Sequence, residues 1–199
     1  MRKLRIALAL GFLLFAAACS PRDFLTRRLA SDLIASSDTF KSTQLFWLRT
    51  GVISNKDYVS PEYLVLQRRG WITGTTDRCP PDIAPPPCWQ VTLTPIGVET
   101  FHDLIPNGAN SQYFSVPVAR RQLTRITGIS KSGAAAEVEF LWKWISLNEV
   151  GGALYDGGVQ YRSTVAFRRY DDGWRVVEGS AAKSTQGLED ALKSSEPAP

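Results

Sequence analysis

Ala136-Glu137-Val138-Glu139-Phe140-Leu141-Trp142-Lys143-Trp144-Ile145-Ser146-Leu147 decides how the second half of this chain folds. Apolar side chains recur at every second position, so Val138, Phe140, Trp142 and Trp144 share one face of an extended chain. Glu137, Glu139, Leu141, Lys143 and Ile145 fall on the other. Val159 to Tyr170 alternates in the same way, with Tyr161, Val165 and Phe167 on a common face, and Asp171-Asp172-Gly173 then supplies a tight turn into Trp174, Val176 and Glu178. Val116 to Ser130 supplies one or two further strands. Residues 115–180 thus predict an antiparallel meander of about four strands with one aromatic face, a sheet that needs a covering layer.

The first half has helical periodicity, and its helices are the obvious cover. Ser20-Pro21-Arg22-Asp23 has the form of a helix start with Ser20 as N-cap, and Leu25, Leu29 and Leu33 would then line one stripe as far as Ser36. From Gln44 to Ile53 a strand or short buried segment is expected, with Phe46 and Leu48 on one side and Trp47 on the other. Ser60-Pro61-Glu62 opens a second helix, carrying Tyr63, Leu64 and Leu66 and ending at Gly70. Trp71 to Arg78 and Trp89 to Thr94 pair as a hairpin. Thr94-Pro95 starts a third helix, with Val98, Phe101, Leu104 and Ile105 inward and Pro106 as its stop. The predicted fold class is α+β: an N-terminal helical and hairpin region over 19–106, the sheet over 115–180, and a polar, partly disordered tail over 181–199 with a short helix around Leu188 to Leu192 and a loose end.

The order helix, Gly70-Trp71-Ile72 strand, hairpin, then Leu93-Thr94-Pro95-Ile96-Gly97 opening a helix resembles the wing region of winged-helix domains over Ser60 to Leu104. In such domains a basic helix usually enters the DNA major groove. Only Arg68 and Arg69 stand near the end of the corresponding helix, so the resemblance implies a scaffold or a protein contact and no nucleic-acid partner. The C-terminal sheet resembles the curved sheets of cystatin-like and nuclear-transport-factor-like cone folds, but without a helix immediately before it, and no pocket residues are carried over.

Met1-Arg2-Lys3-Leu4-Arg5, the apolar run from Ile6 to Phe15, and Ala16-Ala17-Ala18 have the layout of a secretory signal over 1–18, because the apolar run is far shorter than the ~20 residues that cross a bilayer. Ala16-Ala17-Ala18-Cys19 resembles the bacterial lipobox, departing from it at Ala16, where leucine is the commoner residue. The resemblance implies cleavage before Cys19, lipid on its thiol, and a protein held in the cell envelope; Ser20 after the cysteine points to the outer rather than the inner membrane. Loss of the signal would take three of the 23 Lys and Arg residues and leave 20 against 19 acidic ones, so the basic balance of the whole chain says nothing about nucleic acid. Four pairs remain, Arg27/Arg28, Arg68/Arg69, Arg120/Arg121 and Arg168/Arg169, whose default reading is solvated faces. A patch on anionic lipid or glycan is the alternative.

In an oxidising envelope the other two thiols, Cys79 and Cys88, are expected to form a disulfide closing the proline-rich segment between them. Two cysteines and the single His102 fall short of a metal site, and no cofactor motif is present. The catalytic inventory is equally thin. His102 reads as a packing or surface residue, with Asp103 expected to point elsewhere on the helix. Asp171 and Asp172 suit a turn, and no Gly-x-Ser-x-Gly elbow exists.

Asn148 to Gly158 is rich in glycine and reads as a mobile hairpin connection, or as a place where a ligand approaches the backbone closely. Were the aromatic sheet face open, Trp142 and Trp144, with Glu149, Gly151, Gly152 and Tyr155, would form a candidate binding surface. A covered face would make the tryptophans core, the default for such a pattern. The expected function is a lipid-anchored, non-enzymatic binding or assembly module with an envelope protein partner. The alternatives are a small glycan-directed hydrolase using Glu149 or Asp156, and a small-molecule carrier with its pocket inside the sheet.

Overall fold

The computed structural model describes residues 24–81, 86–105, 112–179 and 186–198. The signal segment, Cys19, the Ser20-to-Asp23 helix start and the junction at 106–110 lie outside them. The fold is α+β, with a six-stranded sheet in the order β1 (Gln44–Arg49), β5 (Tyr113–Ser132), β6 (Ala135–Ser146), β7 (Gln160–Tyr170), β8 (Gly173–Val176), with β9 (Glu196–Pro197) pairing with β7, and a separate three-stranded sheet in the order β2 (Gly51–Ser54), β4 (Cys88–Leu93), β3 (Ile72–Asp77). The large sheet exceeds the expected count by one strand from the first half of the chain and one from the tail. The described residues of the chain divide into two compact units, one drawn from 24–40, 123–142 and 161–198 and the other from 41–122 and 143–160. This division crosses the sequence-based one, because the long strands β5 (Tyr113–Ser132) and β6 (Ala135–Ser146) supply both units.

In the first unit, α1 (Arg27–Ser36) begins later than its leucine spacing predicts. The Thr26 hydroxyl accepts from the Leu29 N–H at 3.1 Å, while Leu25 is buried in a non-helical segment. Ala30 and Ile34, not Leu29 and Leu33, form the buried stripe. Buried Ser37 then ends α1 and starts α2 (Asp38–Lys41), its hydroxyl donating to the Ile34 carbonyl at 2.8 Å and accepting from the Phe40 N–H at 3.2 Å. Phe40 meets Phe140 of β6 edge-on, ring centroids 6.4 Å apart. β7 (Gln160–Tyr170) and β8 (Gly173–Val176) form the expected hairpin, with Gly173 at φ +130° in a turn that would strain any L side chain. The short tail helix expected around Leu188 to Leu192 is α7 (Leu188–Lys193), which buries Leu188, Ala191 and Leu192, whereas the end expected to be loose pairs through β9 (Glu196–Pro197) with β7.

In the second unit, β1 (Gln44–Arg49) pairs antiparallel with β5, and Gly51 at φ +80° turns the chain into β2 (Gly51–Ser54) of the small sheet. One apolar run thus becomes two strands in two sheets. Two short helices, α3 (Asn55–Tyr58) and α4 (Pro61–Arg68), precede β3 (Ile72–Asp77), which pairs with β4 (Cys88–Leu93). The Cys79–Cys88 disulfide closes the base of the loop between these strands, where Asp77 is opposite Cys88. Thr94 caps α5 (Pro95–Phe101) as expected, accepting from the Gly97 N–H at 3.0 Å. Yet α5 stops at Phe101, and Val98 is 53% exposed because only Gly97 and Phe101 face inward. Leu48, Ile53, Leu66, Trp71, Val91 and Phe101 form one core with Val116, Val118 and Val150 from the later chain.

Candidate functional site

The aromatic face of β6 is covered. Val138, Phe140, Trp142 and Trp144 are all buried, as is Leu141 on the opposite side of the strand. Trp142 stacks on Tyr161 at 4.9 Å and its indole N–H donates to the Ser163 hydroxyl at 3.0 Å, so its polar handle is satisfied inside the first unit. Trp144, in the second unit, meets the Tyr155 ring, 5.0 Å away, and the guanidinium of Arg121, 4.9 Å from its centroid. Arg121 also donates to the Ser42 hydroxyl at 3.1 Å. Burial pulls the Arg121 pKa down from its ordinary value, with Tyr155 acting weakly in the opposite sense. Adjacent residues on a strand point to opposite faces, which is why Arg120 is exposed and Arg121 is not. That rule was the available signal that the arginine pair could not be solvated as a unit.

The glycine-rich stretch is a short helix, α6 (Glu149–Leu154), where a mobile hairpin connection was expected. Asn148 holds its start, its Oδ1 accepting from the Gly151 N–H at 2.9 Å and its Nδ2 donating to the Pro117 carbonyl at 2.6 Å. The close approach anticipated from the glycines is real but internal: a Cβ on Gly151 would lie 1.8 Å from the Val118 carbonyl oxygen. Gly152 and Glu149 are exposed, and Tyr155 is half-buried against Trp144. The six candidates therefore do not form one surface.

The catalytic candidates also resolve into local structure. Contrary to expectation, His102 and Asp103 are in contact, Nδ1 to Oδ1 at 2.9 Å, because α5 has ended before them; both are well exposed. Asp156 accepts from the Gly158 N–H at 2.8 Å within its own turn. Asp171 accepts from the Asp172 N–H, and Asp172 pairs with Arg175, so both serve the β7–β8 turn. Among the described residues no group of three His, Cys, Asp or Glu could hold a metal ion, and no helix is long and apolar enough to cross a membrane.

What stands open is the outward side of β1 and the start of β5. Leu45, Trp47 and Tyr113 are exposed large apolar side chains, Trp47 to 64%. The pairing register sets Leu45 opposite Pro117, Trp47 opposite Ser115 and Arg49 opposite Tyr113, so these side chains line adjoining rows of one sheet face. The Arg49 guanidinium covers the Tyr113 ring at 4.9 Å. The ladder edge of β1 is closed at Arg49, whose N–H donates to the Tyr63 hydroxyl at 2.7 Å while that hydroxyl donates back to the Arg49 carbonyl at 2.9 Å. The alternation of Phe46, Trp47 and Leu48 announced this face, although the sequence reading left it out of the candidate binding surface.

No protein-family model, curated protein or solved structure matches the chain.

Proposed function

We propose that this protein is an envelope lipoprotein, anchored through lipid on Cys19, that works without catalysis by binding a protein partner on the outward face of β1 and β5. The observation that carries the binding role is the exposed row of Leu45, Trp47 and Tyr113. A contiguous apolar, aromatic face of this kind on an otherwise mixed surface marks an interaction site. A row of exposed side chains on a strand face suits a macromolecule better than a small ligand, which needs a concave site. The disulfide suits an oxidising compartment, and the order α4, β3, closed hairpin, α5 supports the winged-helix resemblance as a scaffold. The carrier reading draws on one feature, a half-open recess of about 360 Å³ in the first unit lined by Ser130, Ala136, Glu137, Phe167 and Arg168 among others.

A photocrosslinking amino acid at position 47, compared with one at exposed Lys193, tests the proposal in cells. A discrete covalent adduct formed only from position 47 is expected, and Trp47→Ala should abolish co-purification of the same partner. No adduct at position 47, with the protein present in the membrane fraction, would overturn the assigned face. Absence of lipid-analogue labelling that depends on Cys19 would overturn the anchor.

A further inference from the structure

One exposed surface of the first unit combines an aromatic ring with cations close to the point where the chain would leave its anchor. Phe24 is 55% exposed, and the Lys131 ammonium lies 5.9 Å from its ring centroid. Arg27 and Arg28 open α1 and are also exposed. Arg27 Nη2 donates to the Thr127 carbonyl at 3.3 Å, which holds the first turn of α1 along β5, four residues before Lys131. Glu139 of β6 accepts from the Thr127 hydroxyl at 2.6 Å. The patch thus presents positive charge around an exposed ring.

We infer that Phe24, Arg27, Arg28 and Lys131 form a docking surface for an anionic phospholipid bilayer, with the ring in the interfacial zone and the three cations against lipid phosphates. The inference rests on the reading of Cys19 as lipidated. Phe24 follows Cys19 by five residues. Even a fully extended chain advances at most about 3.6 Å per residue, so a lipidated Cys19 would keep Phe24 within about 18 Å of the bilayer surface. At that range the body must present some surface to the headgroups, and the one joined to the anchor carries the complementary charge. Aromatic rings settle at the interface, and each nearby Lys or Arg favours an anionic leaflet by about fivefold in partitioning. The same proximity distinguishes a membrane from a soluble acidic partner, which gains nothing from the short tether.

The test is amine footprinting of the full chain, isolated from membranes and exposed to phosphatidylcholine vesicles, to phosphatidylcholine vesicles containing phosphatidylglycerol, or to detergent alone, with lipid on Cys19 measured in the same preparation. Lys131 should react about fivefold more slowly than Lys193 on the anionic vesicles, the scale set by one cation at the surface. The protection should be absent on neutral vesicles and reversed by salt that screens the headgroups. It should also be lost in Phe24→Ala and in Arg27→Glu/Arg28→Glu, variants whose unchanged Tm shows that they fold. Equal Lys131 reactivity in all three conditions, with Cys19 lipidated, would overturn the docking surface and leave the anchor intact. Protection without lipid on Cys19 would uphold the surface and remove the anchor, whereas neither protection nor lipid would remove both.

Discussion

Gly151 and Tyr63 show how single side chains hold this structure. Any Cβ at position 151 meets the Val118 carbonyl oxygen at 1.8 Å, a backbone atom that cannot rotate away. Gly151→Ala should therefore destabilise the protein by about 1–3 kcal/mol, read as a lower urea midpoint at unchanged slope, while Gly152→Ala at the exposed neighbour should be neutral or mildly stabilising. Tyr63 is buried, and its hydroxyl both accepts from and donates to the Arg49 backbone. Tyr63→Phe leaves those two groups on the β1 edge without this partner and is expected to cost about 1–3 kcal/mol. Burial raises the Tyr63 pKa above its ordinary value, ahead of the opposing hydrogen bond from Arg49. Its folded pKa is thus higher than its unfolded one, so its contribution is complete below the unfolded value and declines as pH rises through the folded value. Urea titrations between pH 8 and 11 should show an alkaline loss of stability, smaller in Tyr63→Phe, at roughly the pH range expected for tyrosine ionisation.

At the scale of elements, the disulfide hairpin and the helix starts were legible because their signals are local. Thr94-Pro95 and Ser60-Pro61 each specify a helix N-terminus by backbone geometry that the proline enforces, and α5 and α4 begin there. The Cys79–Cys88 bridge closes a short loop. Cys79→Ser/Cys88→Ser should lower stability by about 2–3 kcal/mol, seen as an equal shift when the native protein is reduced. The start of α1 was misplaced because two N-cap signals compete, Ser20 with Asp23 and Thr26 with its own hydroxyl. In the described residues Thr26 makes the bond. The glycine stretch was misread because glycine permits both a mobile loop and a helix pressed against a strand, and only the position of Val118 decides between them.

At the scale of the molecule, the core of the second unit joins residues far apart in sequence. Val116, Val118 and Val150 pack with Leu48, Ile53 and Leu66, and β1 has β5 as its ladder partner. A fragment covering 20–111 lacks those contacts and is expected to be unfolded, with far-ultraviolet circular dichroism and amide exchange of a disordered chain. A cooperatively folded fragment would contradict this account. Trp47→Ala, in contrast, should leave stability within about 0.5 kcal/mol, because the side chain is exposed and serves no core.

The sequence by itself determined the fold class, the strand alternation of β6 and β7, the turn at Gly173, the hairpin and its disulfide partners, because each follows from backbone geometry or pairing within a short span. Tertiary structure alone decided that β1 and β2 belong to different sheets, that α6 is a helix, that Trp142 is core, and that Arg121 lies over Trp144. Those outcomes depend on which distant strand supplies the neighbouring surface, and periodicity describes the face a segment offers without naming what covers it. The same limit explains why Trp47 was legible as outward-facing, while the open apolar row it forms with Leu45 and Tyr113 became visible only in the pairing of β1 with β5.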